Sequence, residues 1–350
     1  MGNSTVSDAR NITLVMDFYE LTMSYDYFKQ GKKDEIAYFD MFYRKNPDNG
    51  GYVIMAGLQQ LIEAIKDMHF SKGDIDYLRT LNMFDEEFLS YLADFKFDGT
   101  IWAVPEGTPV FPYEPLVTVK GKLIEAQLLE TFLLVTINHQ SLIATKTHRI
   151  VQEAKGRPVM EFGARRAQGY DGATYGARAA YIGGAAGTAT VSAGKAFGIP
   201  VLGTMAHSFV QSFDTEYDAF KAYAEIYPDS CILLVDTVDT LKSGVINAIR
   251  VFRYMKENNM PLDHIGIRID SGDLAYLSKE ARKMLDEAGF ENAKICVSGD
   301  LDETLINSLK MQGACINTWG VGTKLITSDD KPALGGVYKM SAEIIDGVVY

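Results

Sequence analysis

Residues 199–209 read IPVLGTMAHSF, an apolar run that stops at a glycine and is followed by polar residues. Such a run is typical of a buried strand, and the pattern places His207 just beyond the carboxyl end of that strand. A histidine beside apolar residues is often only a structural side chain, so its role depends on what surrounds it. Other apolar runs in the chain also end in polar clusters, and these favour a functional role for His207.

Strand-like runs alternate with helical segments from residue 159 onward. The runs span residues 159–162, 199–202, 231–235, 265–269, 294–297 and 315–319. This spacing indicates parallel βαβ units, either in a doubly wound sheet or in a barrel. We favour a barrel, because the polar clusters follow the strands and barrel sites form at the carboxyl ends of strands. The sequence therefore predicts an α/β fold, namely an irregular parallel α/β barrel behind an N-terminal mixed α/β domain.

The first part of the chain is less regular. Apolar spacing predicts helices over residues 11–29, 56–68 and 73–92, a strand over 36–43, short strands over 100–122 and two helices over 123–154. The glycine- and alanine-rich residues 183–189 are interpreted as a closely packed helix start, because they lack the register of a dinucleotide loop.

Three parts of the chain are predicted to differ in role. Residues 1–135 form the N-terminal domain with a connecting helix, residues 136–340 form the barrel, and residues 341–350 begin a C-terminal segment that we expect to be truncated.

The composition of the chain argues against several classes of binding partner. The formal charge of −12 discourages nucleic-acid and anionic-membrane roles, so an anionic ligand needs a local basic or amide-rich site.

Cys231, Cys296 and Cys315 show no metal-ligand spacing and resemble the reduced cysteines of a cytoplasmic protein. Residues 1–8 are polar and do not form a signal peptide. No apolar segment approaches the roughly 20 residues that span a bilayer.

Two clusters suggest chemistry around His207. Asp236 follows a predicted strand and is placed to accept a hydrogen bond from His207, which would fix the imidazole tautomer. Asp270 and Asp273 flank a turn that contains Ser271, and they are suited to ribose hydroxyls, to Mg²⁺ or to both. A helix N-cap would need only one of the two carboxylates.

Several other segments are suited to anions. Arg165 offers a planar fork of donors, although an arginine pair on the surface would look the same. Residues 298–300 are predicted to open a helix near Leu301, where free amides attract an anion. Residues 320–324 offer an amide nest for phosphate. Arg44 is the first of two adjacent basic residues. Such a pair is found both at solvent-exposed edges and at phosphate-binding sites.

The chain resembles nicotinate phosphoribosyltransferases, and the resemblance extends over most of its length. The motifs that carry it are DFYELTM at 17–23, FYRK at 42–45, SLIAT at 141–145, EFGARRAQG at 161–169, GTMAHS at 203–208, RIDSGD at 268–273 and LGGVYK at 334–339. The resemblance implies a homodimeric two-domain enzyme whose active site lies at the subunit interface. It implies that nicotinate and 5-phosphoribosyl 1-diphosphate are joined into nicotinate mononucleotide, with coupled ATP hydrolysis.

The resemblance also implies roles for individual residues. It makes His207 the phosphorylated histidine. Its substrate-binding residues are Tyr19 and Arg44 of the neighbouring subunit, Phe162, Arg165 and Arg268, and its phosphate-binding residues include Gly299, Gly322 and Thr323. From the strand-end pattern we add Asp236 as the catalytic partner of His207, Asp270, Ser271 and Asp273 as substrate-binding residues, and Ser298 as a phosphate-binding residue. Asp270 and Asp273 are the expected ligands of Mg²⁺.

Two alternatives stay open. Nicotinamide phosphoribosyltransferases share the fold but place an aspartate in the glycine-rich segment, where our register puts Ala185, so this pocket is expected to suit an anion. The chain could also be an inactive oligomeric binding protein, since it ends where members of the family continue. A scaffold, however, has no physical need for the histidine, aspartate and arginine to converge.

Overall fold

A computed structural model describes residues 11–345 and 347–350 of the protein. The polar segment at residues 1–8 lies outside the described residues. The chain divides into two compact units, one comprising the residues up to Thr145 together with Asp330–Tyr350, and the other Lys146–Asp329. Our sequence boundaries fell after residues 135 and 340, and the roles assigned to those domains stay a prediction.

The first unit combines an antiparallel sheet with helices. Its elements are α1 Phe18–Lys29, β1 Ile36–Tyr43, β2 Val53–Ile54, α2 Leu58–Asp67, α3 Lys72–Thr80, α4 Glu86–Ala93, β3 Thr100–Ala103, β4 Pro109–Val110, β5 Val117–Lys122, α5 Leu123–Gln127, β12 Gly336–Ile345 and β13 Val348–Val349. Helix α6, Glu130–Ala154, contributes residues to both units. A 3₁₀ turn covers Pro47–Asn49.

The sheet of the first unit has the strand order β13-β12-β1-β5-β3. Alternate residues of β1 are buried, as expected for a strand with two differently covered faces. Phe39 of β1 stacks on Tyr338 of β12, with ring centroids 4.8 Å apart. The late strand β12 therefore completes a core that begins with β1.

Two sequence predictions for the first unit need correction. The first helix begins at Phe18, because the N–H of Asp17 bonds to the Glu20 carboxylate and defines the helix start. Residues 73–92 form two helices rather than one, separated by a turn in which Asn82 has a φ of 53° and Asp85 caps α4. The strand predicted at residues 36–43 is confirmed.

The second unit alternates parallel strands with helices. Its elements are β6 Val159–Glu161, α7 Gly169–Ile182, β7 Gly187–Thr188, α8 Val191–Phe197, α9 His207–Gln211, α10 Glu216–Ile226, β8 Ile232–Leu234, α11 Val245–Glu257, β9 Gly266–Ile269, α12 Leu274–Glu287, β10 Lys294–Ser298, α13 Glu303–Met311, β11 Thr318–Val321 and α14 Thr323–Ile326. Two 3₁₀ turns, Ala164–Arg166 and Pro228–Ser230, and a π-helix, Thr240–Gly244, join them. The predicted α/β fold is confirmed.

The parallel sheet of this unit has the strand order β7-β6-β11-β10-β9-β8. Residues 199–202 are not the strand that we predicted, since only Val201 forms an isolated bridge, to Thr188. Val201 is 51% exposed although Ile199 is buried, so the segment is not the fully buried strand that the pattern predicts. The strand lies instead at Gly187–Thr188, inside the segment that we interpreted as a helix start. Its two residues are too few for a periodic signal.

Side chains join the two ends of this sheet. The segment that bridges to β7 leads to His207, and β8 at the opposite end leads to Asp236. His207 and Asp236 are hydrogen-bonded to each other. The sheet thus curls until its ends meet, and a polar contact between loops lies where a regular barrel would have a strand ladder.

Candidate active site

His207 and Asp236 form a hydrogen bond at the carboxyl ends of the strands. His207 begins α9, and its Nε2 lies 3.1 Å from Oδ1 of Asp236. The histidine side chain is 39% exposed, whereas that of Asp236 is 2% exposed. An ionised carboxylate only accepts hydrogen bonds, so this contact assigns the ring proton to Nε2. Nδ1 then carries the lone pair.

The other oxygen of Asp236 is held from the next strand. Oδ2 accepts from the backbone N–H of Asp270 at 3.0 Å and from the Ser271 hydroxyl at 2.6 Å. The carboxylate therefore has a fixed orientation before any ligand binds. Ser271, predicted to contact substrate, directs its hydroxyl at Asp236.

Arg268 of β9 lies near the same loop. Its Nη1 donates to the Thr204 hydroxyl at 2.6 Å, and Thr204 precedes His207 in the chain. Its Nε is buried and has no hydrogen-bond partner among the described residues. A buried, unpaired N–H is costly. Arg268 as a whole is partly exposed, so its permanent positive charge can act on a ligand. The arrangement is therefore suited to an anion.

Asp270 and Asp273 have different surroundings. Asp270 accepts a hydrogen bond from the Ser298 hydroxyl across neighbouring strands. Asp273 caps α12, because its Oδ1 accepts from the Tyr276 N–H at 3.0 Å. Asp273 is therefore a helix N-cap, which is the alternative role that the sequence left open for one of the two carboxylates.

Among the described residues, no group of three or more His, Cys, Asp or Glu side chains could hold a metal ion. Asp270 and Asp273 still offer oxygen ligands, which Mg²⁺ prefers, and Mg²⁺ commonly takes only one or two carboxylates together with substrate phosphates and water. The donor set therefore fits a magnesium ion that arrives with a diphosphate.

The loop after β10 differs from our prediction. Helix α13 begins at Glu303 and not near Leu301, because Asp302 is its N-cap and accepts from the Leu305 N–H at 2.7 Å. Burial would raise the pKa of Asp302, but hydrogen bonds from Lys324, at 2.6 Å, and from Leu305 lower it below its usual value. The N-terminus of α13 is therefore capped by the carboxylate of Asp302.

Gly299 lies in that loop with a φ of +99°, and an added Cβ would be 2.4 Å from the Asp270 carbonyl. Glycine is required there for both conformation and space. Gly322 and Thr323 lie after β11, where Gly322 precedes the short helix α14. The carbonyl of Gly322 faces Gly163, so the loops after β6 and β11 are in contact.

Phe162 and Arg165 follow β6. The Phe162 ring rests against Gly320, where an added Cβ would be 2.7 Å from the ring. Arg165 is exposed in the 3₁₀ turn Ala164–Arg166. The structure thus brings Phe162 to the same strand ends as Ser298, whose Cβ also faces Gly320.

Tyr19 and Arg44 lie in the first unit, and their predicted place beside a partner subunit's site stays a prediction. Tyr19 is 43% exposed on α1, and Arg44 is exposed after β1. Partial burial, then the charge of Glu130 and a hydrogen bond to it, raise the pKa of the Tyr19 phenol. The phenol therefore stays neutral.

The neighbouring Glu20 gives a pH prediction. Burial raises its pKa from 4.5 to about 7, with a contribution from Glu130, although hydrogen bonds from Thr131 and Asp17 lower it. Because the folded-state pKa exceeds the unfolded one, ionisation of Glu20 destabilises the fold. This cost grows as pH rises from about 4.5 to about 7 and is constant above that. Glu20→Gln, which mimics the neutral form, should be more stable than wild type at pH 8 by about 3 kcal/mol.

Urea unfolding of both proteins at pH 4.5, 6 and 8 checks this, since other groups titrate equally in the two. A stability difference that does not change with pH would contradict the assignment.

Sequence reasoning missed Glu161 and Ala189. Glu161 is the wholly buried last residue of β6, and Ala189 is exposed immediately after β7, its N–H bonded to the Glu161 carbonyl at 2.9 Å. Ala185, chosen by our register, is buried before β7 and its N–H bonds to Ala180. An acidic residue inside an apolar strand was the available signal for Glu161.

None of the helices in the described residues combines the length and apolar character that crossing a bilayer requires.

Comparisons with known proteins agree with the motifs. The sequence model of the nicotinate phosphoribosyltransferase (NAPRTase) N-terminal domain matches residues 14–138, and that of the NAPRTase family matches residues 158–349. The nicotinate phosphoribosyltransferase of Bacillus subtilis (strain 168) is 50% identical over 96% of this chain and 68% of that protein.

Solved structures give the same result. The crystal structure of human nicotinic acid phosphoribosyltransferase is 30% identical with a TM-score of 0.85, covering 94% of this chain and 75% of that one. A nicotinate-nucleotide pyrophosphorylase from Pyrococcus furiosus is 22% identical with a TM-score of 0.76, covering 100% of this chain and 81% of that one, and shows a shared fold. With both family models matched along its length, the chain belongs to the nicotinate phosphoribosyltransferase family.

Proposed function

We propose that the protein joins nicotinate to 5-phosphoribosyl 1-diphosphate, giving nicotinate mononucleotide and diphosphate. ATP hydrolysis is coupled to the transfer through a phosphohistidine at His207. The observation that carries this proposal is the hydrogen bond from the exposed imidazole of His207 to the buried carboxylate of Asp236, beside Arg268 and Asp270. Family membership supports it.

The tautomer of His207 determines which nitrogen reacts. With the proton on Nε2 facing Asp236, the Nδ1 lone pair attacks the γ-phosphorus of ATP. The bond from Nδ1 to phosphorus forms as the bond from phosphorus to the ADP oxygen breaks. Asp236 stabilises the positive charge that the ring gains, and its fixed orientation means that little rearrangement is needed.

Transfer of the ribosyl group depends on a different set of residues from phosphorylation of His207. The bond from ribose C1 to diphosphate breaks as the pyridine nitrogen bonds to C1, so positive charge develops on the sugar. Asp270 and its neighbouring loop hold the ribose, and the partly exposed guanidinium of Arg268 binds an anionic group of a substrate. Phe162, with Tyr19 of a second subunit, covers the pyridine ring. Positioning of both substrates supplies much of the rate.

A magnesium ion bound with the diphosphate would be held by Asp270 and Asp273 and would neutralise charge on the leaving group. Arg44 of a second subunit is proposed to contact the same diphosphate. The assembly is therefore a homodimer with its site at the interface. We also propose a cytoplasmic location, which the free thiols of Cys231, Cys296 and Cys315 support.

Product formation tests the proposal directly. Purified protein is incubated with 5-phosphoribosyl 1-diphosphate, Mg²⁺ and either nicotinate or nicotinamide, with and without ATP, and the mononucleotides are separated by chromatography. We expect nicotinate mononucleotide, formed faster with ATP. Equal use of nicotinamide would favour the sister activity, and the absence of any mononucleotide would favour an inactive binding protein.

Ala189 gives a prediction about substrate choice. We place the aspartate of the nicotinamide enzymes at Ala189, because this residue is exposed at the end of β7, next to Glu161 and Phe162. Ala189→Asp should raise KM for nicotinate by about tenfold through repulsion between carboxylates, while nicotinamide is affected less. Ala189→Asn is the uncharged control of the same shape. If both variants raise KM for nicotinate equally, size rather than charge is responsible and the placement is wrong.

A further inference from the structure

Glu161 is a buried carboxylic acid whose hydrogen-bond partners are all neutral. It is 0% exposed at the end of β6. One oxygen accepts from the N–H of Gly163, and the other accepts from the hydroxyl of Thr188 at 2.5 Å and that of Thr190 at 3.4 Å. Burial raises the pKa of Glu161, although these donors act in the opposite direction. Such a group is expensive to bury, so a function that depends on it is worth seeking.

The partners of Glu161 come from two neighbouring strand ends. Gly163 follows Phe162 after β6. Thr188 ends β7, and Thr190 lies two residues further on, so the two threonines flank Ala189. The Thr188 hydroxyl in turn accepts the N–H of Thr190 at 2.9 Å. The carboxyl group thus adds a side-chain link between the two segments that carry Phe162 and Ala189, which are already joined by the backbone bond from the Ala189 N–H to the Glu161 carbonyl.

Phe162 is held through its backbone on both sides. Its own N–H donates to the Val321 carbonyl at 2.8 Å, and the Glu161 carboxylate accepts the N–H of the next residue, Gly163. The Phe162 ring lies against the bare Cα of Gly320. Since Glu161 is wholly buried, it acts through Phe162 and Ala189 and does not touch a ligand.

We propose that Glu161 is a positioning residue for the aromatic substrate, and that its side-chain cross-link reinforces the backbone pairing of β6 and β7 and so fixes Phe162 relative to Ala189. This inference rests on the proposed function, because it assumes that the pyridine ring binds at Phe162. The cross-link serves the nicotinate subsite, and the sugar-diphosphate subsite at Asp270 and Arg268 does not depend on it.

Steady-state kinetics of four variants test the inference. Glu161→Ala removes the side-chain cross-link, and Glu161→Gln keeps its shape and an acceptor for Gly163. Thr188→Val removes one donor to Glu161 together with the acceptor of the Thr190 N–H. Ser278→Ala is the matched control. Its hydroxyl is equally buried in the second unit and bonds to the Cys315 N–H at 3.2 Å, on the approach to the amino end of β11. KM for nicotinate and for 5-phosphoribosyl 1-diphosphate is measured separately, together with the thermal midpoint.

We expect Glu161→Ala to raise KM for nicotinate by about tenfold or more, since small displacements at a binding surface have large kinetic effects. KM for 5-phosphoribosyl 1-diphosphate should stay within about twofold, and Glu161→Gln should stay within about threefold for both substrates. Ser278→Ala should lower the thermal midpoint without changing either KM. If Glu161→Ala does not fold, Thr188→Val is used instead and is expected to raise KM for nicotinate alone.

If the wild-type protein is active, any one of three results would overturn the inference. They are an unchanged KM for nicotinate in Glu161→Ala and Thr188→Val, a parallel rise in both KM values, and a failure of Glu161→Gln to restore KM. If wild type forms no mononucleotide, the proposed function itself fails and the inference with it. The wild-type assay therefore distinguishes the two failures.

Discussion

Asp236→Asn is expected to lower nicotinate-stimulated phosphorylation of His207 by about 10³-fold while leaving the protein folded. Oδ2 of Asp236 accepts from the N–H of Asp270 and the hydroxyl of Ser271, so an amide oxygen must occupy that side. The amide nitrogen then faces His207 and donates to Nε2. The ring proton moves to Nδ1, and the lone pair that should attack ATP is lost.

The measurement is acid-labile label on the protein after incubation with γ-labelled ATP, together with mononucleotide formation without ATP. Asp236→Asn and His207→Ala should both lose the label and keep slow, ATP-independent transfer. Ser271→Ala removes one of the contacts to Asp236 and should have a much smaller effect. Wild-type labelling in Asp236→Asn, or nicotinate-stimulated ATPase activity in His207→Ala, would remove this pair from the proposed role.

Gly244→Ala should destabilise the second unit by about 3 kcal/mol. An added Cβ would lie 1.8 Å from the carbonyl oxygen of Val235 and 2.6 Å from its carbon. The contact is with backbone, so no rotamer change can relieve it, and either α11 or the end of β8 must shift. Val235 directly precedes Asp236, so the shift should also disturb the contact with His207.

Thermal unfolding tests this second prediction, with an expected fall in midpoint of about 8 °C. Gly203→Ala is the control, because an added Cβ at Gly203 meets nothing within 4 Å. A midpoint for Gly244→Ala equal to that of Gly203→Ala would show that the end of β8 yields easily, contrary to the prediction.

Much of the fold was predictable because it depends on local pattern. Apolar runs followed by helical spacing located β8, β9 and β10 to within a residue or two. The strand-end rule also brought His207 and Asp236 together, and their hydrogen bond is present in the structure. Their catalytic roles stay a prediction.

The remaining features depend on tertiary contacts that no local pattern encodes. Strand β7 consists of a glycine and a threonine and is defined by its neighbours β6 and Val201. Asp302, the N-cap of α13, is paired with Lys324, a residue distant in sequence. The role proposed for Glu161 likewise depends on its hydrogen bond with Thr188, which becomes its neighbour only after the sheet has formed.

Strand β12 lies between β1 and β13 in the first unit, although the whole second unit separates it from β1 in the chain. On the ribosome, β1 therefore emerges long before its partner and keeps one edge unpaired while the second unit is synthesised. An open edge of this kind invites pairing with other nascent chains. Premature termination before β12 should therefore yield aggregates, even when every residue of the second unit has been made.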